Sequence, residues 1–187
     1  MLDLETLLDR CRRGDDLAWE ALVRQYTGRV YAVTFHYMRN VEEARDMAQE
    51  IFIRIYKQIG SFEDDRRFLP WMLSLSRNAC IDRLRRIKAR PPASDLRVED
   101  GPQIATGDCG PEENAHLEGR KALLYRALNR MSEKNREIIM LKDIQGLKLD
   151  EISSLLALPL GTVKSRSNRA RLELANAVRH LDPSYGG

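Results

Sequence analysis

Neither sign of charge dominates this 187-residue chain: 31 Lys and Arg stand against 28 Asp and Glu, a formal +3. That balance excludes a polybasic tail or an acidic solvating chain as the main design. Aromatics are scarce at 6%, and long β-branched runs are missing, which argues against an all-β fold. The longest stretch free of charged residues, Ile152 to Val163, is interrupted by Pro159 and Gly161. A membrane span needs about 20 apolar residues, so no membrane insertion is expected. The start, MLDLETLLDRCRRGDD, is acidic and amphipathic rather than basic then apolar, so a cytoplasmic location is expected. Three cysteines (Cys11, Cys80, Cys109) and three histidines (His36, His116, His180) lie far apart, without the short paired spacing of a zinc site. No catalytic pair or phosphate-cradling loop occurs either, so neither an enzyme, nor a metal, nor a cofactor is expected.

What the chain has is 43% apolar residues, enough for a core, and a charge distribution that its total conceals. Residues 1–90 carry 17 basic against 14 acidic side chains, residues 91–118 one against seven, and residues 119–187 thirteen against seven. The acidic stretch holds four of the seven prolines (Pro91, Pro92, Pro102, Pro111) and lacks helical or alternating periodicity, which reads as a linker. At about 3.3–3.6 Å per residue, some 25 residues reach roughly 80–90 Å. The expected organisation is all-α: a helical domain over 1–90, an acidic linker over 91–115, a second helical domain over 116–182 and a frayed tail over 183–187.

In the first block a short helix is marked by Leu4, Leu7, Leu8 and Cys11, and a second runs from about Leu17 to Tyr37. A third covers roughly Val41 to Ile59, and a fourth about Phe68 to Arg90, stopped by Pro91-Pro92. At 100° per residue, Ala44, Met47, Ala48, Ile51, Phe52, Ile55 and Ile59 share one arc of the third helix. The opposite arc holds Asp46, Gln49, Glu50, Ile53 and Lys57. An isoleucine centred there fits either a solvated face with one stray apolar residue or a docking surface for another protein. The fourth helix begins apolar, with Phe68, Trp71, Met72 and Leu75, and ends basic, with Arg77, Arg83, Arg85, Arg86, Lys88 and Arg90. The loop GSFEDDRR before it carries Phe62, Arg66 and Arg67. Bases that leave a duplex need apolar walls, polar edges and cations for the phosphates, which Phe62, Trp71, Asn78 and the arginines supply. Trp71 as core and the basic run as a solvated helix end is the plainer alternative.

The second block reads as a helix ending near Met131, a Ser132-capped helix ending at Gly146, a short helix around Leu149 to Leu156, and a longer one from Leu160 to about Leu181. A short helix, a tight turn and a longer basic helix make a helix-turn-helix. On the last helix, Ser167, Ala170, Leu174, Ala177, Val178 and Leu181 fall on the side of Val163. Lys164, Ser165, Asn168 and Arg169 face outward, flanked by Arg166 and Arg171. Such side chains can read base edges in the major groove and hold phosphates. A conventional dimeric helix-turn-helix regulator would use the same face.

Two stretches of the first block, EEARDMAQEIFIRIYKQIGSF and FLPWMLSLSRNACIDRLRR, resemble regions 2.1–2.2 and 2.3–2.4 of the bacterial extracytoplasmic-function sigma factors. EIIMLKDIQGLKLDEISSLLALPLGTVKSRSNRARLEL is similar to their region 4, with GTVKSRSNRAR its most specific part. The resemblance implies a promoter-specificity subunit that binds core RNA polymerase through the β′ clamp helices and the β flap. It implies that Asp46, Gln49, Glu50 and Ile53 meet the clamp helices. It implies that Phe62, Arg66, Arg67, Trp71, Arg77, Asn78, Arg83, Arg85 and Arg86 melt and hold the −10 element. It implies that Lys164, Ser165, Arg166, Asn168, Arg169 and Arg171 engage the −35 element. A cognate anti-sigma factor is implied as a further partner. Two departures stand out: Met131-Ser132 replaces a usual Leu-Pro, and Ser167 occupies a position where an aliphatic residue is common.

Overall fold

The computed structural model describes residues 3–62, 64–89 and 123–183, and of Arg66 the backbone alone. The expected linker, 91–115, and the tail beyond Pro183 lie outside the described residues. The chain divides into two compact units, Met1–Glu99 and Asp100–Gly187. Among the described residues all regular structure is helical, in agreement with the all-α expectation.

The first unit contains α1 (Leu4–Arg12), α2 (Asp16–Met38), α3 (Val41–Gln58) and α4 (Phe68–Lys88). Short polar side chains start three of the four. Asp3 accepts from the Thr6 amide at 2.8 Å, Asp15 from the amides of Leu17 and Ala18, and Asn40 from that of Glu43. Each satisfies amides that a helix start leaves without intrahelical partners. Gly14, at φ 79°, makes the tight reversal between α1 and α2. Helix α2 packs against α1, α3 and α4, and α3 against α4. Leu8, Leu22, Val30, Ile51, Ile55, Met72 and Leu73 are fully buried between them. All seven residues on the expected core arc of the third helix are buried. On α4 the buried side is Phe68, Met72, Leu73, Ser76, Ala79 and Cys80, which keeps Phe68 and Met72 of the expected stripe and leaves Trp71 and Leu75 at its half-buried edge.

The second unit contains a helix described over 123–130 (α5), α6 (Glu133–Ile139), α7 (Leu149–Leu156) and α8 (Leu160–Leu181). Helix α6 runs into a π turn, Met140–Ile144, with the Gln145 amide donating to the Met140 carbonyl at 2.9 Å. Sequence periodicity reads through that turn as ordinary helix, because a single widened turn shifts the pattern by only one residue. Gly146, at φ 79°, then ends the helix. The α7 start is held by the Glu151 carboxylate, which accepts from the Lys148 amide at 2.7 Å. Both α6 and α7 pack on α8. Leu128, Met131, Ile139 and Ala170 form a core patch with Tyr125 and Leu174 against it.

Ser132 does not cap α6 as expected. Its amide and hydroxyl both donate to the carboxylate of Glu173 on α8, at 2.6 and 3.1 Å, and the Asn135 amide nitrogen donates to the same group. The cap comes from 41 residues away, across the helix pair. Burial works against the Glu173 charge, but the bonds from Asn135 and Ser132 outweigh it and hold the carboxyl below its ordinary range.

Candidate docking face and nucleic-acid interface

Because Ala44, Met47, Ile51 and Ile55 turn α3 inward, the opposite arc is presented outward as one surface. Asp46, Gln49, Glu50 and Ile53 are all exposed, and Ile53 keeps 55% of its area. The structure adds an apolar margin that sequence periodicity missed. Trp19 of α2 meets Tyr56 of α3 edge-on at 5.1 Å, and these two rings with Phe52 and Ile53 line a cleft of about 290 Å³. Tyr56 stands one turn beyond Ile53, so an outward i, i+3 apolar pair was the available signal. Glu50 pairs with Arg54, its i+4 neighbour, at 2.5 Å.

The loop between α3 and α4 is pinned by a side chain that no motif marked. Arg12, on α1, donates to the Phe62 carbonyl at 2.7 Å, to the Ile59 carbonyl at 3.4 Å and to both carboxylate oxygens of Asp65. The loop thereby places the Phe62 ring on Trp71, with centroids 4.6 Å apart and planes 23° from parallel. Phe68 lies 5.7 Å from Trp71 and 5.2 Å from Tyr26 beneath them. Beside this stack, a cleft of about 290 Å³ runs between α3 and α4, bounded by Arg54, Gln58, Trp71, Ser74, Leu75 and Asn78. The structure thus brings Trp71 and Asn78 to one opening, with Phe62 stacked on the tryptophan. Arg54 and Gln58 join from α3, unforeseen, because contacts between helices leave no trace in a single helix's periodicity.

Further along α4, Arg83, Arg85 and Arg86 are exposed and Arg77 is half-buried. Asp82 lies 3.7 Å from Arg85, and Asp64 lies 3.4 Å from Arg67. Arg66 sits in the short helical turn Asp65–Arg67. Behind Arg77, His36 is buried with its Nε2 lacking a hydrogen-bond partner. Burial, helped by the charges of Arg39 and Arg77, pushes its pKa down to about 4.

On α8, Val163, Ser167 and Ala170 are buried, and Lys164, Ser165, Asn168 and Arg169 are exposed as one outward group. The Ser165 hydroxyl donates to the Thr162 carbonyl at 3.1 Å, and Arg166 is half-buried. Two further side chains of α8, the buried Ser167 and the exposed Arg171, bond to the turn after α6. Ser167 accepts from Lys142 Nζ at 3.1 Å, and Arg171 pairs with Asp143 at 2.5 Å. Two positively charged surfaces therefore exist, one in each unit, besides the mixed acidic and apolar surface of α3.

Residues 22–90 match the family model for sigma-70 region 2, and residues 121–174 that for sigma-70 region 4. Among curated proteins, the chain is 32% identical to the ECF RNA polymerase sigma factor SigW of Bacillus subtilis over 180 residues, covering 93% of this chain and 96% of that one. It is 30% identical to the RNA polymerase sigma-H factor of Pseudomonas aeruginosa over 182 residues, 95% of this chain and 94% of that one. Among solved structures, the sigma factor RpoE of Bartonella quintana, in complex with the anti-sigma factor NepR, has a TM-score of 0.69 at 18% identity, covering 86% of this chain and 96% of that one. CnrH, in complex with the cytosolic domain of CnrY, has a TM-score of 0.65 at 21% identity, covering 96% and 98%. The two structural likenesses bear on the fold.

Proposed function

The chain belongs to the extracytoplasmic-function group of the sigma-70 family of RNA polymerase sigma factors, and from that premise we propose how its surfaces divide the work of initiation. It is an alternative sigma factor, a transcription initiation factor and not an enzyme. Asp46, Gln49, Glu50 and Ile53 dock on the β′ clamp helices of core polymerase. Phe62, Arg66, Arg67, Trp71, Arg77, Asn78, Arg83, Arg85 and Arg86 open and hold the −10 element. Lys164, Ser165, Arg166, Asn168 and Arg169 engage the −35 element, whereas Arg171, expected with them, pairs with Asp143 instead. The modules are residues 1–90 and 116–182, tethered by 91–115, with the second also meeting the β flap. An anti-sigma factor masks these surfaces when the protein is idle. Its place of action is the cytoplasm, where polymerase and chromosome are; among the described residues no helix is long and apolar enough to cross a membrane.

The observation that carries this reading is Ile53, with more than half its surface open at the centre of an acidic and amide face. An isolated exposed apolar side chain is ordinary, but here it continues into Tyr56 and Trp19, an apolar centre with a polar rim, as protein interfaces are built. Melting is then driven by binding: unstacking costs a few kcal/mol per base step, offset by capture of unpaired bases beside Trp71 and Asn78. Ile53→Asp and Glu50→Lys are expected to abolish co-purification with core polymerase while leaving the melting temperature nearly unchanged, since the Glu50–Arg54 pair is exposed and worth only about 0.3–0.5 kcal/mol. Undiminished co-purification would refute the docking assignment. In vitro transcription of a genomic library with core polymerase, mapping start sites, tests the function as a whole.

A further inference from the structure

Lys142 and Asp143 are neighbours on the π turn after α6, and their partners Ser167 and Arg171 are one helical turn apart on α8. The two bonds therefore tie one spot of the turn to one stripe of the recognition helix. We propose that this pair of contacts is a latch that sets the pitch of α8, and that Asp143 is a positioning residue which keeps Arg171 off the DNA backbone. The inference deepens the −35 reading above and rests on it.

Three observations bear the weight. First, Ser167 is 1% exposed and Lys142 half-buried, so their bond is partly buried between the π turn and α8. An aliphatic side chain there would pack but could not accept that bond, and the lysine end would lose its partner. Second, Arg171 and Asp143 remain partly open, at 55% and 33% of their side-chain areas, so their pairing adds little to stability. Third, Arg171 occupies the flank of the face that carries Lys164, Asn168 and Arg169, where an unpaired guanidinium would add one more phosphate contact. An ion pair of small stabilising value that removes a cation from a DNA-facing surface acts on DNA affinity and helix placement. Asp143 thereby lowers backbone attraction, which is blind to sequence, and leaves a larger share of recognition to Lys164, Asn168 and Arg169.

The test uses the full chain and a labelled 30-base-pair duplex of arbitrary sequence, titrated across a salt series. Each phosphate contact adds about 0.9 to the slope of log affinity against log salt. Asp143→Asn, which keeps the side-chain shape, is expected to steepen the slope by about 0.9, making the loss of affinity between 50 and 200 mM salt about three- to fourfold larger. Arg171→Ala is expected to leave the slope as in the parent, and the double variant to lose the steepening. Melting temperatures of all three should stay close to the parent, which separates the latch from a purely structural ion pair. A flatter slope for Arg171→Ala, or no change for Asp143→Asn, overturns the latch. Arg169→Ala tells the two failures apart: it flattens the slope if α8 faces DNA. A parent-like slope for Arg169→Ala overturns the DNA-facing reading and the latch with it.

Discussion

Single buried groups of this protein have chemistry that their neighbours dictate. His36, buried on α2, has an orphaned Nε2, its ring edge-on to Tyr37 at 4.7 Å, and a pKa lowered from 6.5 to about 4. The folded chain therefore resists protonation there while the unfolded chain accepts it. Between pH 6.5 and 4 the unfolded state binds more protons, so stability falls on acidification through that window and is level below it. The total loss from this one group is about 3 kcal/mol. His36→Phe is expected to remove that part of the pH dependence, seen as a smaller drop in denaturation midpoint between pH 7 and 4 than in the parent. An identical drop would show that His36 is solvated and titrates normally. Cys80 shows the same effect with the opposite sign: burial raises its thiol to about 12, which leaves almost no thiolate to react at neutral pH. None of this was legible in the sequence, where both residues read only as scattered, because desolvation is a property of the packed interior. Ile53 was legible, since its oddness lies in the periodicity of its own helix.

At the scale of elements, sequence reading succeeded where an element is specified locally and failed where it is specified from afar. The caps Asp15 and Asn40 lie next to the helices they start, and those helices begin within a residue of the expected positions. The start of α6 depends on Glu173, and the α3–α4 loop on Arg12, partners 41 and about 50 residues distant. No local pattern marks such residues, and the start of α6 was read as capped by Ser132 accordingly. The turn between α7 and α8 hides a further feature: Ala157 adopts φ 52°, a left-handed conformation that costs a non-glycine residue about 1–2 kcal/mol. Glu173 offers the sharper prediction. Its carboxyl is ionised in the fold and held below its ordinary value of 4.5. Its contribution is thus fully present above pH 4.5 and is lost as pH falls through the lowered folded value. Glu173→Gln is expected to destabilise the second unit by about 1–3 kcal/mol at pH 7, by leaving donors of Ser132 and Asn135 without a charged acceptor. The deficit should shrink toward acid, where the parent loses its charge as well. A deficit that stays constant down to pH 3 would mean that the carboxylate charge contributes nothing to the cap.

For the molecule as a whole, the near-neutral total charge hides two cationic surfaces, one in each unit, and a mixed acidic and apolar face on α3. The two basic sequence blocks were visible in the sequence as charge counts, whereas the clefts that use them were not, since Trp71, Asn78, Arg54 and Gln58 meet only through the packing of α3 on α4. On the proposed division of surfaces, a total of +3 gives the free chain only weak attraction for DNA, and promoter selection comes from modules held together at high effective concentration on the polymerase. That requirement has a consequence for damaged chains. Ile53→Asp keeps every DNA-facing side chain but is expected not to join the polymerase. Arg169→Ala is expected to join it and to lose grip on the −35 element. If reading and docking must reside on one tethered chain, mixing the two variants restores no transcription from a promoter selected in vitro with the parent protein. Increasing the Ile53→Asp chain over the Arg169→Ala holoenzyme should then leave the run-off signal unchanged. A rise toward the parent level would show that an undocked second unit can supply −35 recognition from solution, and that the tether carries no part of promoter choice.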